Sequence, residues 1–160
     1  MLESNIADSL EISYIFPYSD AYVKNRISRL KEADYIFYAL SNNKFTTLPD
    51  YLEEVFSTGK VYIIGNKNFG ENNGQIYVRR NRGDYFESTV KLADEYYRQN
   101  NMLKEKYGNH YIDMIGVVQM DDGSVRVFSD KHKFISQDCA HLTQGGARYY
   151  ASLIYLGWIL

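Results

Sequence analysis

The sequence predicts an α/β fold, a three-layer α/β/α sandwich around a mostly parallel central sheet. Segments of strand length, rich in Ile, Val, Tyr and Phe, alternate with segments whose apolar residues recur every three or four positions. The stretches between successive strands are long enough to hold a helix, which parallel strands require. With 160 residues, of which 45% are hydrophobic and 24% charged, the chain suits a single domain over residues 1–160.

Five elements are predicted in the first half of the chain. The strands are apolar runs, and the second ends in the polar Ser41-Asn42-Asn43. Asp20 suits a helix N-cap, Pro49 suits a first turn, and Gly59 suits the position after a last turn. In chain order the elements are a strand at 12–16, a helix from Asp20 with Val23, Ile27 and Leu30 on its apolar face, a strand at 33–40, a helix from Pro49 with Leu52, Val55 and Phe56 on its apolar face, and a strand at 61–65.

The second half continues the alternation. Gly108 marks the end of a long helix, and Asp121-Asp122-Gly123-Ser124 has the composition of a tight turn before a strand. In chain order the predicted elements are a Gly- and Asn-rich loop at 66–74, a short strand at 76–78 before the basic run 79–82, a helix from about Glu87 to Tyr107, a strand at 111–118, a strand at 125–128 and a final helix from about Thr143.

Three polar clusters follow predicted strands or precede the last helix. They are Ser41-Asn42-Asn43, Asn66-Lys67-Asn68 and the loop from Asp138 to His141. In open α/β sheets, ligands bind beside the loops that leave the carboxyl ends of the strands. We therefore expect the functional residues among these clusters.

The composition excludes several classes of function. A formal charge of −2 gives no electrostatic reason to expect nucleic acid or an anionic membrane. Cys139 is the only cysteine and there are three His, so we expect no internal disulfide, no metal and no cofactor. No apolar run spans a bilayer and the N-terminus shows no signal peptide. The chain as it stands is thus expected in the cytoplasm, or outside it if it belongs to a longer membrane-linked transferase.

Asp138 and His141 carry the clearest chemical signal. A His that accepts and returns a proton needs a carboxylate that selects its tautomer and stabilises the imidazolium. Positions i and i+3 meet in a tight turn, so Asp138 can supply that carboxylate. Leu142 would then anchor the turn in the core and Thr143 would cap the next helix. On spacing alone, an ordinary polar turn with Asp138 as a local cap is the simpler interpretation.

A longer match supports the catalytic interpretation. Asp138-Cys139-Ala140-His141-Leu142-Thr143, with Gly145-Gly146-Ala147 opening the last helix, resembles the final block of the SGNH (GDSL-like) hydrolase superfamily. The nearest likeness is to domains that O-acetylate bacterial surface polysaccharides, where D-x-x-H-L-[ST]-x-x-G-A precedes a C-terminal helix. The likeness in layout covers about residues 12–160, and only this block is specific. The resemblance implies a flavodoxin-like α/β/α sandwich and a Ser-His-Asp triad that acts through an acyl-enzyme. In that triad His141 would act first as base and then as acid, and Asp138 would orient it.

The same resemblance implies an oxyanion donor. The family has Gly-x-Asn at the end of a central strand, and the Asn side chain donates to the oxyanion. Here the strand at 33–40 is followed by Asn residues with no preceding Gly, so Asn43 is the first candidate and Asn42 the second. An ordinary Asn turn at the strand end is the alternative. Cys139 is expected to be a small packed side chain that points away from the acid and the base.

The nucleophile is the part that matches least. The family's first block is Gly-Asp-Ser after the first strand, and the nearest stretch here is Ala7-Asp8-Ser9. Residues 1–6 are short and polar for a buried strand, and the strand at 12–16 leaves no room for a helix after Ser9. We therefore expect the first strand and the nucleophile elbow to be missing, as in a C-terminal fragment or a degenerate domain, with Ser9 as the remaining candidate.

Two functions are compatible with these features. The first is an SGNH-type O-acyltransferase or carbohydrate esterase, with an acyl donor and a glycan of a bacterial surface polysaccharide as its substrates. The second is a catalytically silent SGNH-like module that binds a glycan or a partner protein, which the 16 Tyr and the loop at 66–74 favour. The associations that we expect are a longer parent chain, a membrane acyltransferase or a homo-oligomer, and no nucleic acid.

Overall fold

The computed structural model describes residues 30–40, 47–69, 75–80 and 83–154. The predicted strand at 12–16 and most of the helix from Asp20 lie outside the described residues, as do Ser9, Asn42 and Asn43. The chain divides into two units, Met1–Asp34 and Tyr35–Leu160. In the first unit, residues 30–32 are helical. The strands and helices named below belong to the second unit.

Among the described residues of the second unit, nine elements follow one another, with strands and helices mostly alternating. In chain order they are β1 (Ile36–Ala39), α1 (Asp50–Phe56), β2 (Val61–Ile64), α2 (Gln75–Arg80), β3 (Thr89–Val90), α3 (Asp94–Tyr107), β4 (Tyr111–Ile112), β5 (Val125–Arg126) and α4 (Gln144–Leu153). Short 3-10 turns lie at Tyr85–Glu87, Gly108–His110 and Gly116–Val118. Within the described residues, no helix has the length and hydropathy needed to cross a bilayer.

A small parallel sheet organises these elements. Its order is β1-β2-β4, with Ile36 opposite Val61 in the first pair and Ile63 opposite Tyr111 in the second. β3 and β5 form a separate antiparallel pair. Val61 and Ile63 of the central strand are completely buried, as expected for a parallel strand between two neighbours. The predicted mixed α/β class and the parallel pairing of three predicted strands are confirmed.

The main hydrophobic core joins the chain beyond β2 to the final helix. Most of its members lie in loops and short strands after β2, and Tyr150 enters it from α4. The Tyr150 hydroxyl donates to the main-chain oxygen of Met114 at 2.8 Å, and burial raises its pKa well above the usual value. The members of this core are Phe69, Leu92, Ile112, Met114, Ile115, Val118, Val125, Ile135 and Tyr150.

A polar network links α3 to the sheet. The Tyr111 hydroxyl donates to Asn100 Oδ1 at 2.7 Å, and Asn100 Nδ2 donates to Asp113 Oδ1 at 2.8 Å. Lys104 Nζ lies 3.1 Å from Asp113 Oδ2. Burial raises the pKa of Tyr111 well above its usual value, and the charge of Asp113 adds to the effect. No buried side-chain nitrogen or oxygen in the described residues lacks a hydrogen bond, which is what a stable interior requires.

Several boundaries were predicted correctly. α1 follows Pro49 and buries Leu52 and Val55. α3 ends at Gly108, which has the left-handed φ of 52° expected after a helix. The turn before β5 contains Gly123 at φ 81°, and Met120 N donates to Ser124 O at 2.7 Å across it. In each case a local conformational preference agrees with the fold.

The predicted strand at 76–78 is wrong, because these residues lie in helix α2. Ile76 and Tyr77 are half-buried, while Arg79 and Arg80 are exposed. A short apolar run can form a strand only if a neighbouring strand satisfies its backbone, and no described strand pairs with this segment. A helix satisfies its own backbone groups and therefore forms here.

The predicted helix from Glu87 is too long at its start, because α3 begins at Asp94. Thr89 and Val90 pair with Arg126 and Val125 instead. Both residues are β-branched, so a strand suits them better than a helix does. β5 ends at Arg126 rather than at residue 128, and Val125 also forms an isolated antiparallel bridge with Gln119.

The predicted strand at 111–118 is also too long, since β4 ends at Ile112. Asp113 Oδ1 accepts the backbone N–H of Gly116 at 2.6 Å, and the chain turns into the 3-10 segment. The predicted strand at 33–40 is shorter at its start, and it is not buried on both faces. Ile36 and Leu40 are buried, but Phe37 between them is exposed.

Gly65 lies where the end of β2 meets β4, and we expect it to tolerate no side chain. A Cβ at this position would overlap the Tyr111 hydroxyl and would lie 2.9 Å from the main-chain oxygen of Ile112. Gly65→Ala should therefore lower the free energy of unfolding by about 1–3 kcal/mol, the usual cost of overpacking. Gly83→Ala is the matched control, because a Cβ there meets no atom within 4 Å. Equal urea midpoints for the two variants would contradict this packing.

Candidate active site at the Asp138–His141 loop

The structure brings Asp138 and His141 together. His141 Nδ1 lies 2.6 Å from Asp138 Oδ2. The two residues are the ends of a tight turn, and Cys139 within it adopts a left-handed φ of 70°. A left-handed turn residue reverses the chain, so the two side chains project from neighbouring points. The predicted i, i+3 contact is therefore present.

The second oxygen of Asp138 is saturated by other donors. Asp138 Oδ1 accepts the backbone N–H of His141 at 2.7 Å, the backbone N–H of Ala140 at 3.1 Å and the Ser136 hydroxyl at 3.1 Å. The His141 backbone and side-chain hydrogen bonds, followed by the Ala140 N–H, hold the pKa of Asp138 well below its usual value. Asp138 is thus a carboxylate at neutral pH.

This charge state determines what the imidazole can do. A carboxylate only accepts hydrogen bonds, so the Asp138 contact requires His141 Nδ1 to carry the hydrogen. In neutral His141 the lone pair is then on Nε2, which is free to accept a proton from another group. No described residue forms a hydrogen bond with Nε2. The arrangement is that of a general base with its orienting carboxylate.

The loop is closed at its base like a hairpin. Ser136 and Leu142 form an antiparallel bridge, and the Thr143 N–H donates to Ile135 O at 2.9 Å. Ile135 N donates in turn to Val127 O at 3.0 Å, which ties the base of the loop to the segment after β5. Leu142 packs against the main core, as predicted for the anchor of this turn. The five residues 137–141 therefore form the tip of a loop whose two ends are hydrogen-bonded to each other.

The same base carries the start of α4. Thr143 is the N-cap, and its Oγ1 accepts the Gly146 N–H at 2.9 Å, which confirms the predicted cap. The Thr143 hydroxyl also donates to Phe134 O. A Cβ on Gly146 would overlap Ile135 O and lie 2.8 Å from the Ile135 carbonyl carbon. The Thr and the second Gly of this block thus hold the helix tightly against the loop base.

The loop after β2 reaches the Asp138–His141 loop. Phe69 N donates to Cys139 O at 3.0 Å, and Phe69 is buried in the core. Two of the three predicted polar clusters are therefore adjacent. In the Asn66-Lys67-Asn68 cluster, Asn66 is buried and its Nδ2 donates to Gln99 Oε1 at 3.4 Å, so this side chain links the loop to α3.

The other predicted site residues are distributed as follows. Ser9, Asn42 and Asn43 lie outside the described residues, so their roles as nucleophile and oxyanion donors stay predictions. Cys139 is half-buried, close enough to Tyr77 for the two ionisable groups to interact. Burial, followed by this interaction, raises the pKa of Tyr77. The His141 side chain is 87% exposed and that of Asp138 is 56% exposed.

Two clefts lie elsewhere in the described part of the chain. One, of about 360 Å³, lies between the end of α3, β4 and the end of α4. The other, of about 440 Å³, lies beside β3 and the turn at 129–132. Neither is lined by Asp138 or His141. Among the described residues there is also no group of three His, Cys, Asp or Glu side chains that could hold a metal ion.

Two supporting residues were not identified from the sequence. Ser136 contacts the Asp138 carboxylate, and Gly146 allows α4 to approach Ile135. A Ser two residues before an Asp in a turn is a weak local signal, and the sequence does not show what approaches a Gly. No protein-family model, curated protein or solved structure matches the chain.

The stability of the loop should depend on the charge of Asp138. Its pKa is lower in the folded protein than its ordinary value of 3.8. The carboxylate therefore stabilises the fold fully above that ordinary value, and this contribution is lost as the pH falls through the lowered pKa. At pH 7 we expect the thermal unfolding midpoint of wild type to be higher than that of Asp138→Asn. The difference between the two midpoints should shrink steadily between pH 4 and pH 2.

The control is Asp130→Asn, which removes an exposed carboxylate from the neighbouring turn and changes the net charge equally. Thermal unfolding midpoints of all three proteins would be compared at each pH. A constant difference between wild type and Asp138→Asn across this range would show that the charge of Asp138 does not contribute.

Proposed function

We propose that the protein is an SGNH-type O-acyltransferase or carbohydrate esterase that acts on acyl esters of a bacterial surface polysaccharide. The observation that carries this proposal is the 2.6 Å contact between His141 Nδ1 and Asp138 Oδ2, which leaves Nε2 as the proton acceptor. The proposal includes a complete three-layer α/β/α sandwich of flavodoxin-like topology, of which the three-stranded parallel sheet would be the central part.

The proposed reaction has two half-reactions that use the same pair. In the first, His141 Nε2 takes the proton of the nucleophile's hydroxyl while its oxygen attacks the acyl carbon. The protonated His141 then gives that proton to the departing alcohol, and the acyl group remains on the enzyme. In the second, His141 deprotonates water or a sugar hydroxyl, which attacks the acyl-enzyme, and the proton returns to the nucleophile.

Each remaining role has a candidate. Asp138 stays ionised and stabilises the imidazolium, which its lowered pKa supports. Asn43 is the first candidate for the oxyanion donor and Asn42 the second. Ser9 is the candidate nucleophile within this sequence. Water as the acceptor gives an esterase, and a sugar hydroxyl gives a transferase.

A catalytically silent module that binds a glycan or a partner protein is the second candidate. The sequence has no Gly-Asp-Ser, and Ala7 stands where the family has Gly before Asp8-Ser9. A silent module would retain the Asp138–His141 turn for structural reasons, because Asp138 also bonds two main-chain N–H groups of the turn.

Ester hydrolysis separates the two candidates. With p-nitrophenyl acetate as substrate, His141→Ala should lower kcat/KM by about a thousandfold or more if His141 is the general base. Asp138→Asn should cause a smaller loss, since it disturbs the tautomer and leaves the imidazole in place. Ser9→Ala should match His141→Ala if Ser9 is the nucleophile.

His132→Ala is the matched control, because His132 is also exposed but lies in a different turn. Its rate should equal that of wild type, which excludes unspecific cleavage of the ester by a surface imidazole. A wild-type rate equal to that of His141→Ala would contradict the enzyme hypothesis. Saccharide binding by both proteins would then support the silent module.

A further inference from the structure

Ser136 differs in its surroundings from the pair that it contacts. It is 2% exposed, whereas the Asp138 and His141 side chains are largely in solvent. Its main chain belongs to the closed base of the loop, through the bridge to Leu142. The hydroxyl of Ser136 thus comes from a buried position in the hydrogen-bonded base of the loop and donates to the exposed carboxylate, at 3.1 Å from Asp138 Oδ1.

The contacts of Asp138 show what this hydroxyl adds. The two main-chain N–H groups that reach Oδ1 come from Ala140 and His141, which move with the turn itself. Among the donors to Oδ1 in the described part of the chain, only Ser136 belongs to the base of the loop rather than to its tip. An exposed carboxylate bonded only to its own turn could rotate together with that turn. A bond to the base limits this rotation, so Oδ2 remains directed at His141 Nδ1.

We propose that Ser136 is a positioning residue for the Asp138–His141 pair, acting through a hydrogen bond that ties the Asp138 carboxylate to the base of the loop. Its effect on catalysis rests on the function proposed above, but its effect on the pair does not. In the folded protein the hydroxyl stabilises the carboxylate form, and it holds Oδ2 in the direction that selects the Nδ1–H tautomer of His141.

The test is an NMR titration that needs no substrate. The Asp138 carboxyl carbon and the His141 ring nitrogens are followed against pH in wild type, Ser136→Ala and Ser136→Cys. The groups acting on this carboxyl are Ser136, Ala140 and His141, so few other titrations interfere. Because Ser136→Ala removes a donor to the charged form, the pKa of Asp138 should rise by about half a unit to one unit.

Two further readouts separate positioning from a general loss of stability. The fraction of His141 in the Nδ1–H tautomer should fall in Ser136→Ala and fall less in Ser136→Cys, because a thiol is a weaker donor of similar size. If the protein has esterase activity, Ser136→Ala should lower kcat by about three- to tenfold with KM unchanged, as expected for one lost hydrogen bond.

Ser129→Ala is the control. Ser129 is also buried, and its Oγ accepts the Lys133 N–H at 3.2 Å in the neighbouring turn. It should leave both the Asp138 pKa and the His141 tautomer unchanged. An unchanged Asp138 pKa in Ser136→Ala, or an equal shift in Ser129→Ala, would overturn the proposal. Absence of ester turnover with the pKa shift present would instead contradict the proposed function alone.

Discussion

The approach of α4 to the main chain of Ile135 is the contact on which the candidate site depends. Only a glycine permits it, because a Cβ at Gly146 would overlap the Ile135 carbonyl oxygen. This approach places the Thr143 side chain between the start of α4 and the base of the loop. Its hydroxyl accepts the Gly146 N–H of the helix and donates to Phe134 O of the loop base. The base of the loop that holds Asp138 and His141 is therefore hydrogen-bonded and packed directly against the start of α4.

The pair itself is stabilised by directed hydrogen bonds and not by burial. With the His141 side chain 87% exposed, water screens the charge–charge attraction of the pair. The four donors to the Asp138 carboxylate, two of them from the main chain, keep it ionised without a low-dielectric surrounding. Oxyanion stabilisation, in contrast, is strong only where water is excluded. In the proposed reaction, a bound substrate would have to exclude water from the exposed His141 side chain.

Structural features were predicted correctly from the sequence where a local conformational preference agrees with the fold. The end of α3 at Gly108, the turn at Gly123 and the Thr143 cap were all predicted because each depends on residues within a few positions. The Asp138–His141 contact belongs to the same class, since a turn of four residues determines it.

Other elements depend on contacts between distant segments. Thr89 and Val90 form a strand only because β5 is available as a partner, and neither periodicity nor propensity reveals a partner. The buried face of α3 is also unusual, since it includes Gln99 and Asn100. A helix that buries amides lacks the apolar stripe from which its position is usually predicted.

The buried amides of α3 in turn explain how a strand as short as β4 is held in the parallel sheet. Asn100 uses both ends of its amide, accepting from Tyr111 and donating to Asp113, the residues on either side of Ile112. The helix thus bonds β4 through side chains where the sheet offers only two residues of ladder. Asp113 then ends the strand by accepting the Gly116 N–H. Polar side chains here perform the structural task that main-chain pairing performs in a longer sheet, which is why hydrophobic patterning alone overestimated the length of this strand.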